Sequence, residues 1–97
     1  MRHFHRTTLR PDAVLANADQ YFESLGLKRG AGDRQGRQFA GPLGVMRLVV
    51  RMEGGHYTMV EAFTDQVGES RLDKNVKNFF ADLHRKAEPR YRIEASY

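Results

Sequence analysis

The segment Val45–Thr64, VMRLVVRMEGGHYTMVEAFT, constrains the fold of this chain more than any other part of the sequence. Two alternating runs flank the pair Gly54-Gly55, and a two-residue hairpin turn requires positive φ angles, which glycine adopts without strain. The segment therefore predicts an antiparallel β-hairpin. With both glycines in the turn, the predicted register places Met52 opposite Tyr57.

This register divides the hairpin into two faces. The predicted core face is apolar apart from one carboxylate and consists of Met46, Leu48, Val50, Met52, Tyr57, Met59, Glu61 and Phe63. The predicted outer face mixes β-branched residues with arginines and consists of Val45, Arg47, Val49, Arg51, Thr58, Val60, Ala62 and Thr64. Because an outward sheet face is normally polar, a half-apolar face bordered by arginines indicates a protein-binding surface.

Two helices are predicted, one after the first strand of the chain and one after the hairpin. Pro11 and Asp12 suit the first turn of a helix whose apolar stripe runs to Leu25, and Gly26 is a natural C-terminal stop. A second helix is predicted from Ser70, with Asp73 completing a capping box, to a stop at Pro89.

The remaining segments are shorter. Residues 2–9 alternate as a first strand, residues 35–40 form a short strand, and the glycine-rich residues 30–36 favour a flexible loop. Residues 90–97 alternate again and are either a last edge strand or an ordered tail. The chain is therefore expected to be one α+β domain spanning residues 1–97, a two-layer sandwich in the order β-α-β-β-β-α, with or without a final strand. Four or five antiparallel strands carry both helices on one face.

This layout resembles a reduced member of the START/polyketide-cyclase-like superfamily. The resemblance is carried by the strand-to-helix entry TTLRPDAV at residues 7–14, by FAGPLG at residues 39–44, and by the hairpin followed by the Phe79-Phe80 helix. It implies a helix-grip arrangement that encloses a hydrophobic ligand between sheet and helix. A ferredoxin-like or other small α+β sandwich is the alternative.

Composition narrows the classes of function. The net charge of +4 permits an acidic partner, anionic lipid or nucleic acid, although the charges are not clustered into runs. The absence of cysteine excludes disulfides and thiolate chemistry. No apolar run is long enough for a membrane span, and the start of the chain does not resemble a signal peptide, so a cytoplasmic location is expected. No cofactor is expected.

Glu61 and Tyr57 are the candidate ligand-binding residues. Glu61 is the one charged residue on the predicted core face, where desolvation would raise its pKa and suit it to acid–base chemistry. The favoured alternative is that Glu61 lies near the open end of the sheet and is paired with an arginine. No serine lies in a nucleophile elbow and no glycine pattern fits a phosphate loop, so no catalytic residue is assigned.

His3 and His5 point the same way from the first strand and are candidate metal ligands. A site would need a third ligand from His56, Glu61 or His84. Two histidines at a chain start are more often surface residues, so no metal site is assigned.

Three functions follow as hypotheses. The leading one is a small non-catalytic domain that associates with a protein partner or a second copy through Arg47, Val49, Arg51, Thr58, Val60 and Ala62. The second is a binder of a small hydrophobic ligand held between sheet and helices. The third is a nucleic-acid-binding domain, which is disfavoured because the predicted outer face of the hairpin has no aromatic residue for base stacking.

Overall fold

A computed structural model of the chain describes residues 1–87, and the strand or tail predicted at residues 90–97 lies outside this range. Seven elements follow in chain order: β1 (Arg2–Thr7), α1 (Pro11–Ser24), β2 (Lys28–Gly32), β3 (Gly36–Gly41), β4 (Gly44–Glu53), β5 (Tyr57–Thr64) and α2 (Arg71–Ala87). The predicted α+β class is confirmed, with one antiparallel sheet and two helices.

The five strands form a single sheet in the order β1-β5-β4-β3-β2. Strands β2 to β5 form a meander. β1 is the edge strand next to β5 and pairs with it antiparallel, so that Phe4 lies opposite Glu61. The chain leaves β1 through α1 and re-enters the sheet at the far edge. Both helices pack on the same face, so the opposite face of the sheet carries no helix from the described part of the chain.

The register of the predicted hairpin is wrong by one residue. Gly54 and Gly55 occupy the turn with φ angles of +64° and +77°, as predicted, and the His56 amide donates to the Glu53 carbonyl. However, the strand ladder begins at Glu53 opposite Tyr57, which leaves His56 as an extra residue after the turn. Every residue of β5 therefore faces the side of the sheet opposite to the predicted one.

The cost of burying a carboxylate explains why this register is preferred. The predicted register would have placed Glu61 beneath the helices, where an unpaired charge is expensive. The observed register instead turns Val60 and Ala62 inward, and both side chains are fully buried. Small residues at these positions leave room for the helices to approach the sheet closely.

β2 replaces part of the loop that was predicted from the glycine content. Residues 28–32 form an exposed edge strand that pairs with β3 through an irregular register. Arg29 bonds to the Asp19 carboxylate of α1 at 2.8 Å, which holds the edge against the helix. Tertiary pairing thus overrides the weak intrinsic strand preference of a glycine-rich segment.

The core lies between the sheet and the helices, and its fully buried aromatic rings touch one another. Phe22 of α1 lies 5.3 Å from Phe39 of β3 and 5.1 Å from Phe79 of α2, measured between ring centroids. Ser70 caps α2 as predicted, since the Asp73 amide donates to Ser70 Oγ at 3.0 Å, but the Asp73 carboxylate accepts from the Ser70 hydroxyl and not from the backbone amide of a capping box.

Candidate functional site: the open face of the sheet

The side of the sheet that carries no described helix is called the open face. Strand alternation and pairing place on it Arg2, Phe4 and Arg6 of β1, Tyr57, Met59, Glu61 and Phe63 of β5, Val45, Arg47, Val49, Arg51 and Glu53 of β4, Gly36, Gln38 and Ala40 of β3, and Lys28 of β2. Cross-strand neighbours form rows about 7 Å apart along the strands. One row runs Arg2, Phe63, Arg47, Gln38 across four strands.

Half of the predicted interaction surface lies on this face and half does not. Arg47 and Arg51 are exposed and Val49 is half-buried on the open face. Thr58, Val60 and Ala62, the other members of the predicted surface, are buried under the helices because of the one-residue shift in register. The predicted surface is therefore corrected: its β5 contribution comes from Met59, Glu61 and Phe63.

Two arginines stack on aromatic rings of the open face. The Arg47 guanidinium carbon lies 5.0 Å from the Phe63 ring centroid, and that of Arg2 lies 5.3 Å from the Phe4 centroid. Phe4 is 54% exposed, a high value for a phenylalanine. Cation–π contacts at such exposed sites stabilise by about 0.5–1 kcal/mol, so they hold the guanidinium groups without immobilising them.

Glu61 lies at the centre of the open face and accepts hydrogen bonds from two arginines. Arg2 donates through Nη2 at 2.7 Å and through Nε at 2.9 Å, and Arg51 donates through Nη1 at 3.1 Å. The hydrogen bond from Arg2 lowers the pKa of Glu61 despite an opposing effect of burial, and the nearby charge of Arg51 adds to the lowering. The predicted position of Glu61 on the core side is wrong, and the raised pKa that a general acid needs is absent. Its predicted pairing with an arginine is confirmed.

The second carboxylate of the face, Glu53, is also paired. It accepts a hydrogen bond from Arg6 Nε at 3.0 Å and lies 4.0 Å from Arg51 Nη2. Arg47 has no carboxylate within ion-pair distance among residues 1–87. Within residues 1–87, five cationic side chains (Arg2, Arg6, Lys28, Arg47 and Arg51) against two carboxylates (Glu53 and Glu61) give the open face an excess of three positive charges.

A shallow groove of about 410 Å³ adjoins Arg47 at the β3 side of the open face. Gly36, Gln38 and Val49 line it on the sheet, and Ala31, Gly32, Asp33 and Gln35 line it on one side. Arg47 both lines this groove and contacts Phe63, so the groove adjoins the Arg47–Phe63 pair.

Tyr57, the second candidate for ligand binding, does not join Glu61 in a pocket beneath the sheet. It is half exposed at the start of β5 and lines a small surface pocket with His5 and His84. The space that a ligand would need between sheet and helices is occupied by the core cluster, in which Phe22, Phe39 and Phe79 are fully buried.

The two N-terminal histidines face the helices and have different partners. His3 Nε2 lies 2.7 Å from Asp73 Oδ1, and the His5 ring stacks on Phe80 at 5.2 Å. Burial, and secondarily the charge of His84, lowers the pKa of His5. Within residues 1–87, no group of three histidine or acidic side chains is arranged to hold a metal ion.

No protein-family model matches this chain, and no curated protein sequence matches it significantly. Neither described helix combines the length and apolar character required to cross a membrane. The interpretation of the candidate site is therefore based on the structure of the open face alone.

Phe4 and Phe63 are the functional candidates that the sequence analysis missed. The available signal was the lone carboxylate on the predicted core face. Moving Glu61 outward reverses β5 and brings Phe63 to the surface with it.

Proposed function

We propose that this chain is a non-catalytic binding domain whose open face docks a partner presenting negative charge beside flat apolar groups. The observation that carries the proposal is the Arg47–Phe63 pair on a sheet face that no helix within residues 1–87 covers. The pair presents a guanidinium stacked over an aromatic ring, and this cation has no carboxylate partner among residues 1–87.

The chemistry of the ionisable groups supports a binding role over catalysis. Glu61, the residue with the best claim to acid–base chemistry, is held ionised by Arg2 and Arg51. A carboxylate that accepts several arginine hydrogen bonds is a poor proton donor or acceptor near neutral pH. Its role here is to orient the arginines that a partner would meet.

Self-association through this face is less favourable than binding an acidic partner. Stacking two copies face to face would oppose two surfaces that each carry an excess of three positive charges, and like-charge contacts disfavour an interface. A hydrophobic-ligand role of the START-like kind is also disfavoured, because Phe22, Phe39 and Phe79 fill the layer between sheet and helices. The cytoplasmic location expected from the sequence remains a prediction.

The proposal is tested by mapping binding on the ¹⁵N-labelled full chain by NMR. Two probes present anionic groups beside aromatic ones: a poly(Glu,Tyr) copolymer and a single-stranded oligo(dT). Amide shifts caused by at least one probe should cluster at Phe4, Arg47 and Phe63. The exposed side of α1, represented by Ala16 and Gln20, should not respond.

A matched pair of variants separates a specific face from general charge attraction. Arg47→Gln and Arg71→Gln remove the same charge, but Arg71 lies on α2 and is exposed. Arg47→Gln should weaken binding of the responsive probe by about 5-fold or more, as expected for a charge-assisted contact, and Arg71→Gln by less than about 2-fold. If neither probe shifts the open-face amides, or if the two variants lose the same amount of affinity for the responsive probe, the proposed function is wrong.

A further inference from the structure

We infer that the partner of the open face is single-stranded nucleic acid, bound by base stacking on Phe4 and Phe63 and by phosphate contacts to the arginines around them. This inference rests on the proposed function and specifies its partner. The predicted hairpin register had argued against such binding, because it left no aromatic residue facing outward. The observed register removes that objection.

The two phenylalanines are placed as a stacking platform. Phe63 lies opposite Arg2, and Phe4 lies opposite Glu61 two residues along, so the rings stand on diagonal positions of adjacent strands. Diagonal neighbours are roughly 7–8 Å apart, so each ring can receive a separate base on the side that its stacked arginine does not cover. Base–aromatic stacking contributes about 1–3 kcal/mol per base and does not require a particular sequence.

The arginines supply the second half of the recognition. Arg47 stacks over Phe63 and has no carboxylate partner among residues 1–87, so a phosphate can pair with it without displacing a described carboxylate. Arg2 and Arg51 are oriented by Glu61 but keep more than half of each side chain exposed, at 55% and 53%. Phosphate contacts of this kind release counterions and make the affinity depend on salt.

The groove provides a path for the nucleic-acid strand across the sheet. It begins at Arg47 and continues over Gly36 and Gln38 toward residues 31–35. The absence of a side chain at Gly36 keeps its floor low, and Gln38 offers a donor and an acceptor to a base edge. A rigid duplex would have to unstack to use the two rings, so single strands are preferred.

The experiment measures fluorescence anisotropy of a labelled oligo(dT) of about 12 nucleotides, within the usual length for one small domain, titrated with the full chain at several salt concentrations. An oligo(U) of equal length is expected to bind similarly, because the platform uses bases and phosphates rather than sugars. A duplex of the same length should bind at least about 10-fold more weakly than the single strand.

Three variants test the two halves of the platform. Phe4→Leu with Phe63→Leu keeps apolar bulk but removes both rings and should weaken oligo(dT) binding by at least about 10-fold. Arg47→Gln should reduce the slope of log affinity against log salt by about 0.7, the value for one phosphate contact on a single strand. Arg71→Gln should leave that slope unchanged. Far-UV circular dichroism and a urea midpoint establish that each variant is folded.

The outcomes distinguish this inference from the proposed function. If poly(Glu,Tyr) shifts the open-face amides but neither oligonucleotide binds, the partner is an acidic protein and only the inference fails. If duplex and single strand bind equally and the leucine variant binds as wild type, the interaction is general charge attraction and the inference is wrong. If no probe binds, both proposals fail.

Discussion

Replacing Val60 with alanine should destabilise the fold far more than the same replacement at Val49. The two valines lie on adjacent strands of one hairpin, but Val60 is fully buried against the helices and Val49 is only half-buried on the open face. Removing two carbons from a buried site costs about 1.6 kcal/mol in lost transfer free energy. A residual cavity of roughly 40–50 Å³ adds about 1 kcal/mol.

The expected loss of unfolding free energy is therefore about 2–3 kcal/mol for Val60→Ala and below about 1 kcal/mol for Val49→Ala. Urea denaturation followed by circular dichroism measures both, with equal slopes showing that the unfolded state is unchanged. The melting temperature should fall by roughly 4–8 °C for each kcal/mol in a domain of this size. Equal losses, or a larger loss at Val49, would refute the observed orientation of β5.

Three further predictions concern the turn, the helix cap and pH. Gly55→Ala should lower the free energy of unfolding measured with urea by about 1–2 kcal/mol, because φ is +77° at this position. No atom would obstruct the new methyl group, so the loss would come from the backbone conformation alone. An unchanged urea midpoint would contradict a left-handed conformation here. Asp73→Ala should lower the free energy of unfolding by about 2–4 kcal/mol, because it removes the buried acceptor of hydrogen bonds with His3 and Thr64 at 2.7 and 2.8 Å. The control Asp12→Ala, at an exposed position of α1, should lower it by less than about 1 kcal/mol. Burial raises the pKa of Asp73, but hydrogen bonds from Ser70, His3 and Thr64 outweigh this effect, so the folded-state pKa lies below the unfolded one. The ionised carboxylate therefore stabilises the fold above the unfolded pKa, and this stabilisation is lost as the pH falls below about 4. Asp73→Asn should consequently show a flatter acid-denaturation profile than wild type.

Most of the secondary structure followed from local sequence patterns. The apolar stripes and end signals located α1 and α2, and alternation located β3, β4 and β5 to within a few residues. These features depend on short-range periodicity and on caps such as Ser70-Asp73, which a single sequence displays directly. β2 was missed because its glycines carry no strand signal and its pairing depends on β3, a tertiary partner.

The candidate site was predicted less well because it depends on a one-residue difference in register. The position of Gly54-Gly55 was right, but an extra residue at His56 leaves no pattern of its own in the sequence. The two-residue turn assumed at Gly54-Gly55 set the predicted register, and that register placed Met59 and Phe63 on the core face. The electrostatic cost of burying Glu61 favours the opposite orientation of β5, which turns the half-buried Phe63 toward the open face.

The most direct test of the central claim is a thiol footprint of the open face, which is straightforward because the chain has no cysteine. Val49→Cys places one thiol on the open face, and Ala16→Cys places one on the exposed side of α1. The labelling rate of each is measured in the native protein with and without saturating oligo(dT). The account predicts that the oligonucleotide slows labelling at position 49 by at least about 10-fold and leaves position 16 unchanged, as expected for a site covered by a stacked strand. Unchanged labelling at position 49, or protection at position 16 alone, would contradict it.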